Sequence, residues 1–406
     1  MRVHVPVVPL LLVGLVALLL AAPPADADEL PRAEPAAVGL SAERLAKIDE
    51  EVEKRIASKA IAGAVTVVAR RGKVAYLRAF GSFEEDTIVR IYSMTKPVTV
   101  VAALILVDEG KLALDDPVSK HLPAFANLRV QGREAPPPPM TVRHLMQHTS
   151  GLTYGFFGNT AVDKRYRKAG ILRRDGSLET MAAKLAKIPL LSAPGERWRY
   201  SVSIDLLARI VEVVSKKTFD VFLEERIFRP LGMEDTAFFV PMAKAARLAP
   251  NYGPRGFVID APAKSPYLRK PGLFSGGGGL VSTAKDFTVF ALMLANGGAW
   301  QNTRILKPET VKAMTTNQLP ERLVPISFGP MKMSGMGFGL GVGVRVSGAG
   351  PHARLGDWGW SGAASTTFFV SPEEDLVVVN MLQRMPMYTS LDTAIRPLIY
   401  KAIDHP

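Results

Sequence analysis

The chain has 406 residues, 48% hydrophobic and 22% charged; this suits one large globular domain or two intimate ones and excludes wholesale disorder, collagen and coiled coil. It contains no cysteine, which removes disulfides, thiolate metal sites, iron–sulfur clusters and a cysteine nucleophile. Lys and Arg number 50 against 38 Asp and Glu, a net charge of +12, but the positive residues are scattered and the longest basic-rich piece, 164–174, reads as solvated surface, so no nucleic-acid partner is expected.

Arg2 is followed by a mostly apolar run, 3–25, and by Ala25-Asp26-Ala27. That is the layout of a secretory signal over 1–27, cleaved after Ala27; Pro6 and Pro9 weaken the alternative of a permanent anchor. No later segment has about 18 consecutive apolar residues. The mature protein is therefore expected to be exported, periplasmic or secreted, with no membrane span. Residues 28–40 are polar and Pro-rich and read as a leader. The remainder, 41–406, is the functional domain. Leu45, Ile48, Val52 and Ile56 recur at helical spacing after Ser41, which predicts a capped amphipathic helix over 41–58. Two strands, 64–69 and 73–80, are joined at Arg71-Gly72 as a hairpin. A strong helix over 94–109 stops at Gly110.

The middle, about 111–270, is irregular and helix-rich, with Pro136–Pro139 as a loop and a clear helix over 204–215. After Gly276–Gly279 another helix spans about 286–295. Strands return at 337–346, 364–370 and 376–382, and a final helix covers 391–403. Strands at both ends with helices between predict an α/β protein: one sheet, from about 41–90 and 280–406, with a helical insertion, about 91–279, over one edge.

Ser93-Met94-Thr95-Lys96-Pro97 sits where a loop enters the strong helix. Three-residue spacing puts Ser93 and Lys96 on one helical face. A serine hydroxyl needs a neighbouring base to become a nucleophile. An amine can be that base only when partly neutral, a state that burial and the positive end of a helix both favour. The same helix start offers backbone N–H groups to an oxyanion. The bland reading is a cap serine beside a surface lysine. Ser282-Thr283-Ala284-Lys285 has the same spacing, but Thr283 with Asp286 resembles a helix cap. No Gly-x-Ser-x-Gly elbow occurs, against an α/β-hydrolase arrangement. His144 and His148 lie four apart on an expected helix, with no glutamate between them, so a structural role outweighs metal binding. No phosphate-binding or dinucleotide fingerprint is present. No metal or cofactor is predicted.

With these blocks the chain resembles the serine β-lactamase and penicillin-binding protein superfamily, in its class C-like branch with the related carboxylesterases. The resemblance spans about 39–401. Its carriers are Ser93-Met94-Thr95-Lys96, the run Thr141 to Leu152, Pro194 to Ser201, Gly277 to Thr283, and Gly359-Trp360-Ser361-Gly362-Ala363. It implies a β-lactamase/transpeptidase-like fold with an antiparallel sheet. It also implies an acyl-enzyme on Ser93, with Lys96 and Tyr200 sharing proton transfer and an oxyanion hole from the N–H groups of Ser93 and Ala363.

Two departures bear on substrate. Where the family often carries Tyr-x-Asn, this chain has Tyr200-Ser201-Val202, and Val202 cannot hydrogen-bond an acylamide group. Where β-lactam-recognising members carry a Lys-Thr-Gly-like motif, it has Trp360-Ser361-Gly362, an apolar face with one N–H donor. Both place Val202, Trp360, Ser361 and Gly362 at the substrate and point to neutral esters with hydrophobic or aromatic parts. The expected function is an exported serine carboxylesterase acting on a small-molecule ester or amide. The alternatives are a β-lactamase or D-alanyl-D-alanine carboxypeptidase, an acyltransferase, or a silent binding protein of the same fold. The pocket walls are expected from the irregular regions 153–175 and 317–336.

Overall fold

The computed structural model describes residue 1 and residues 30–329, 331–348, 350–351, 353–387 and 390–404. The apolar run and the cleavage site read as a secretory signal lie outside the described residues. Among the described residues no helix is long and apolar enough to cross a membrane.

Ser41 accepts a hydrogen bond from the Arg44 N–H and starts two short consecutive helices, α1 (Ala42–Leu45) and α2 (Lys47–Ala57). Their apolar stripe, Leu45, Ile48 and Val52, is buried. Strands β1 (Gly63–Arg70) and β2 (Lys73–Gly81) form the expected hairpin. Its two turn residues, Arg71 and Gly72, have φ of 52° and 74°, the left-handed pair whose twist matches that of the strands. Helix α3 (Thr95–Asp108) is buried from Thr95 through Leu106, as an apolar surface on every side demands. It ends before Gly110, at φ 69°. Short helix α4 (Val142–Met146) and helix α5 (Ser203–Ser215) follow, and α5 packs on α3. Helix α6 (Ala284–Ala295) is capped by Thr283, which accepts from the Asp286 N–H. Beside it, Ser282 pairs with the Thr236 hydroxyl and Lys285 is exposed; this second Ser-x-x-Lys run is a helix cap.

The other strands of the main sheet are β3 (Met336–Phe338), β4 (Gly343–Arg345), β5 (Trp358–Ser361), β6 (Thr367–Ser371) and β7 (Leu376–Met381), before helix α7 (Ser390–Ala402). They join the N-terminal hairpin in one antiparallel seven-stranded sheet of order β3-β4-β5-β6-β7-β1-β2. The two-residue period of a strand divides its side chains between two cores. Val65, Val67, Val377 and Val379 face the larger core with α3 and α6. Ala64, Val68, Leu376 and Val378 face a smaller one with α1, α2 and α7. The sheet built from both chain ends, with helices on both faces, is as the patterning predicts.

Three expectations are corrected. Residues 337–346 form two strands rather than one, because Gly341 at φ 80° cannot continue an extended strand. β6 begins at Thr367, since 362–366 is a tight turn in which the Gly362 N–H donates to the Thr366 carbonyl at 2.8 Å. His148 is not on a helix: α4 ends at Met146 and His148 sits at φ 58°.

Candidate active site

Ser93 lies in a single 3-10 turn, Tyr92–Met94, that feeds α3. Tyr92 is held at φ 42°, a left-handed conformation that costs a non-glycine residue of the order of 1–3 kcal/mol. Its phenol is anchored by the Asn251 side chain at 3.1 Å. One turn into α3, Lys96 is completely buried. Its amine donates to Ser93 Oγ at 3.1 Å and to the Gly277 carbonyl at 2.5 Å. The predicted pair therefore meets, and the lysine is a core residue.

The glycine run is laid along α3. Thr99 donates to the Gly276 carbonyl at 2.7 Å, and the Leu280 N–H donates to Thr95 Oγ1 at 3.1 Å. Tyr200 enters from the segment before α5. Its ring lies under the amine, with Lys96 Nζ 4.5 Å from the ring centroid. The Tyr200 hydroxyl accepts the Trp360 indole N–H at 3.3 Å. Ser93, Lys96, Tyr200 and Trp360 are thus one connected constellation.

The other expected residues are placed as follows. Ala363 lies in the 362–366 turn, which packs on Ile91 through a Thr366 hydroxyl bond to the Ile91 carbonyl at 3.4 Å. Among the described residues the backbone N–H groups of Ser93 and Ala363 donate to nothing. Ser361 is half-buried beside Met387, and Gly362 is buried. Val202 is fully buried at the N-terminus of α5, where its N–H donates to the Thr153 carbonyl; its side chain is packing and offers no surface.

Sequence reasoning missed Asp205 and Tyr154. Asp205, in the first turn of α5, is fully buried. Its Oδ1 accepts from the Ser275 hydroxyl at 2.5 Å and from the Gly277 N–H at 3.0 Å, while Oδ2 has no partner. Gly277 therefore stands between a buried carboxylate and a buried amine, its N–H to one and its carbonyl to the other. Burial pushes the Asp205 carboxyl above its ordinary range, against its hydrogen bond to Ser275 and the pull of Lys96. Tyr154 packs beside Tyr200, ring centroids 5.4 Å apart, and its own centroid lies 5.4 Å from Lys96 Nζ. Burial, with Tyr200 and Asp205 adding to it, pushes its phenol well up.

An aromatic shell closes the back of the site. His148 is buried against Trp198, Tyr200 and Phe338, with ring centroids 4.8 to 6.0 Å apart. Burial, helped by the Lys96 charge, holds its imidazole well below its usual range, so it is neutral. His144 instead caps α4, accepting the Thr141 N–H on Nδ1. Among the described residues no group of three or more His, Asp or Glu side chains is placed to hold a metal ion.

Residues 48–398 match the Beta-lactamase family. Protein Rv1367c of Mycobacterium tuberculosis is 34% identical over 351 residues, covering 80% of this chain and 86% of that protein. Esterase EstB of Burkholderia gladioli is 36% identical over 216 residues, half of this chain and 54% of EstB. Among solved structures, EstCE1, described as a hydrolase with promiscuous acyltransferase activity, superposes with a TM-score of 0.76 at 28% identity. That likeness covers 88% of this chain and 99% of EstCE1.

Proposed function

The chain belongs to the Beta-lactamase family, within the serine β-lactamase and penicillin-binding protein superfamily, and we propose that it is a serine carboxylesterase working through an acyl-enzyme on Ser93. The observation that carries this reading is the buried Lys96 amine, 3.1 Å from Ser93 Oγ and 4.5 Å from the centre of the Tyr200 ring. Ser93 Oγ attacks the acyl carbon and gives its proton to the Lys96–Tyr200 pair. The carbonyl oxygen becomes an oxyanion that the free N–H groups of Ser93 and Ala363 receive. The C–O bond to the alcohol breaks as the pair returns the proton to the leaving oxygen. Water then repeats the sequence on the Ser93 ester and releases the acid. The Lys96 amine over the Tyr200 ring and the Trp360 N–H at the phenol oxygen hold the pair in place for the proton transfer.

Two features support an ester over a β-lactam or peptide. Val202 is buried and has no amide to offer an acylamide group. The single N–H of Trp360 is already given to Tyr200, so Trp360 does not pair with a substrate carboxylate. The similarity to EstB and EstCE1 supports the same choice. Export is part of the proposal on the strength of the N-terminal pattern.

Hydrolysis of short-chain p-nitrophenyl esters, with the acyl adduct located on Ser93 by intact and peptide mass, is the test. Ser93→Ala must abolish both. Survival of activity in that variant would reject the site, and faster turnover of nitrocefin than of any ester in the panel would reject the substrate class.

A further inference from the structure

The cavity of 410 Å³ beside Tyr200 is lined by the 153–158, 197–200 and 322–329 segments. Its walls include four aromatic side chains, Phe157, Trp198, Tyr200 and Phe328. It also carries three arginines, Arg197, Arg199 and Arg322, and no Asp or Glu. Aromatic rings and positive side chains line this cavity together.

The arginines differ in what they already hold. Arg197 is mostly exposed and lies 3.8 Å from Glu196. Arg322 is tied to the chain through the Glu196 and Gly195 carbonyls at 2.9 and 2.8 Å, and among the described residues it forms no ion pair. Among the described residues the Arg199 guanidinium has neither an ion pair nor a hydrogen bond, and its Nε is buried without an acceptor. Asp163 feels its charge, but that carboxylate is already engaged by Thr153 and Thr160. A half-buried guanidinium facing an aromatic slot lacks the acceptors its five donors call for, and a planar anion supplies them two at a time.

The slot is placed on one side of the chemistry. Ser93 is not among its walls, but Tyr200 is, and Phe328 bridges Tyr200 and Trp360 with ring centroids at 5.0 and 6.0 Å. In the mechanism above, the Lys96–Tyr200 pair returns the proton to the departing oxygen, and Tyr200 is the member of that pair that lines the cavity. The cavity past its ring therefore receives the alcohol half of the ester.

Resting on that reading, we propose that this cavity is a leaving-group subsite for esters whose alcohol or phenol part is flat, apolar and ends in a carboxylate, held by Arg199 with Arg322 beside it. The acyl half stays neutral. The expectation of neutral esters, drawn from Val202 and Trp360 together, is thereby narrowed: the cation for an acidic substrate sits one residue before Tyr200 rather than on β5.

The test compares 4-acetoxyphenylacetate with its neutral isostere 4-acetoxyphenylacetamide, which share an acetyl group and a phenol leaving group. The expected kcat/KM ratio, acid over amide, is about tenfold, carried by KM and shrinking in high salt. Arg199→Gln should reduce that ratio at least fivefold, and Arg199→Lys should keep part of it. Thermal melting of each variant confirms that it is folded. A ratio of one or less in the parent protein, or one unmoved in both Arg199→Gln and Arg322→Gln, overturns the proposal while leaving esterase activity standing. If neither compound is hydrolysed, the esterase reading fails instead. The subsite is then judged by calorimetric binding of 4-hydroxyphenylacetate against 4-hydroxyphenylacetamide. Tighter binding of the acid that is lost in Arg199→Gln upholds it, and equal or absent binding overturns it.

Discussion

Gly277→Ala should disable the site, while Gly278→Ala, one residue on, should not. A β-carbon at 277 would lie 2.3 Å from Asp205 Oδ2 and 2.9 Å from both Asp205 Cγ and the Tyr154 hydroxyl. Ordinary contact needs about 3.5 Å, so something must retreat by about 1 Å. Asp205 cannot easily do so, because it is fully buried and its other oxygen holds Ser275 and the Gly277 N–H. The peptide at 277 moves instead, and its carbonyl leaves Lys96 Nζ. Overpacking of this kind costs about 1–3 kcal/mol of stability. Displacing a reacting group by about 1 Å costs of the order of 10²-fold in rate.

At 278 the nearest atoms are the Tyr92 backbone at 3.7 to 3.9 Å, ordinary contact. That substitution should stay within about threefold in kcat/KM and leave melting unchanged, as unstrained substitutions do. The assay is kcat/KM on p-nitrophenyl butyrate with a melting curve for each protein. If Gly277→Ala were as active as Gly278→Ala, the Asp205–Gly277–Lys96 connection would not hold the amine in place.

Asp205→Asn keeps an acceptor for Ser275 and Gly277 but removes the buried charge. A folded-state pKa raised above the unfolded value means the charged form destabilises the fold as pH rises. The variant should therefore melt higher than the parent at pH 7, by a gap that closes toward pH 4, while its kcat falls at least tenfold; a lower melting point at neutral pH contradicts this. Trp360→Phe removes the donor to the Tyr200 oxygen and should lower kcat about 3- to 10-fold with little change in KM, the scale of one buried hydrogen bond. A change confined to KM would place Trp360 against the substrate instead. His148 is neutral when folded and takes a proton at about pH 6.5 when unfolded, so its share of stability is present above that pH and lost as pH falls below it. His148→Asn, which suits the left-handed backbone there, should flatten the loss of melting temperature between pH 7 and 5, and an unchanged slope would show that another group sets it.

The parts legible in the sequence are those decided by near neighbours. Leu45, Ile48 and Val52 announce α2 because helical periodicity is local. Arg71-Gly72 announces the hairpin because the turn chemistry is local. Ser93 and Lys96 are three apart, and one helical turn suffices to bring them together. The gap at 339–342 in the first of the C-terminal strand stretches was also written locally, in glycines at 337, 339, 341 and 343, but strand patterning alone does not reveal that Gly341 leaves the extended region.

What was not legible depends on contacts between distant segments and on local rules the site breaks. Asp205 reads as an ordinary acid in the first turn of a helix, where it suits the dipole. The packing of α5 on α3 buries it, and its donors, the Ser275 hydroxyl and the Gly277 N–H, lie 70 and 72 positions away. His144 and His148 look like a helical pair until the chain turns left-handed at His148. Val202 looks like a residue facing substrate because its neighbour Tyr200 does, yet the turn into α5 points it into the core. Tyr92 at φ 42°, a buried lysine, a buried carboxylate with a free oxygen and a neutral buried histidine are each unfavourable alone. They persist together because the two cores on either side of the sheet hold the backbone that carries them. The same separation explains Arg199. Its place in the chain says only that it precedes Tyr200, whereas its chemistry depends on which acids fail to reach it, and Asp163, which feels its charge, is held away by Thr153 and Thr160.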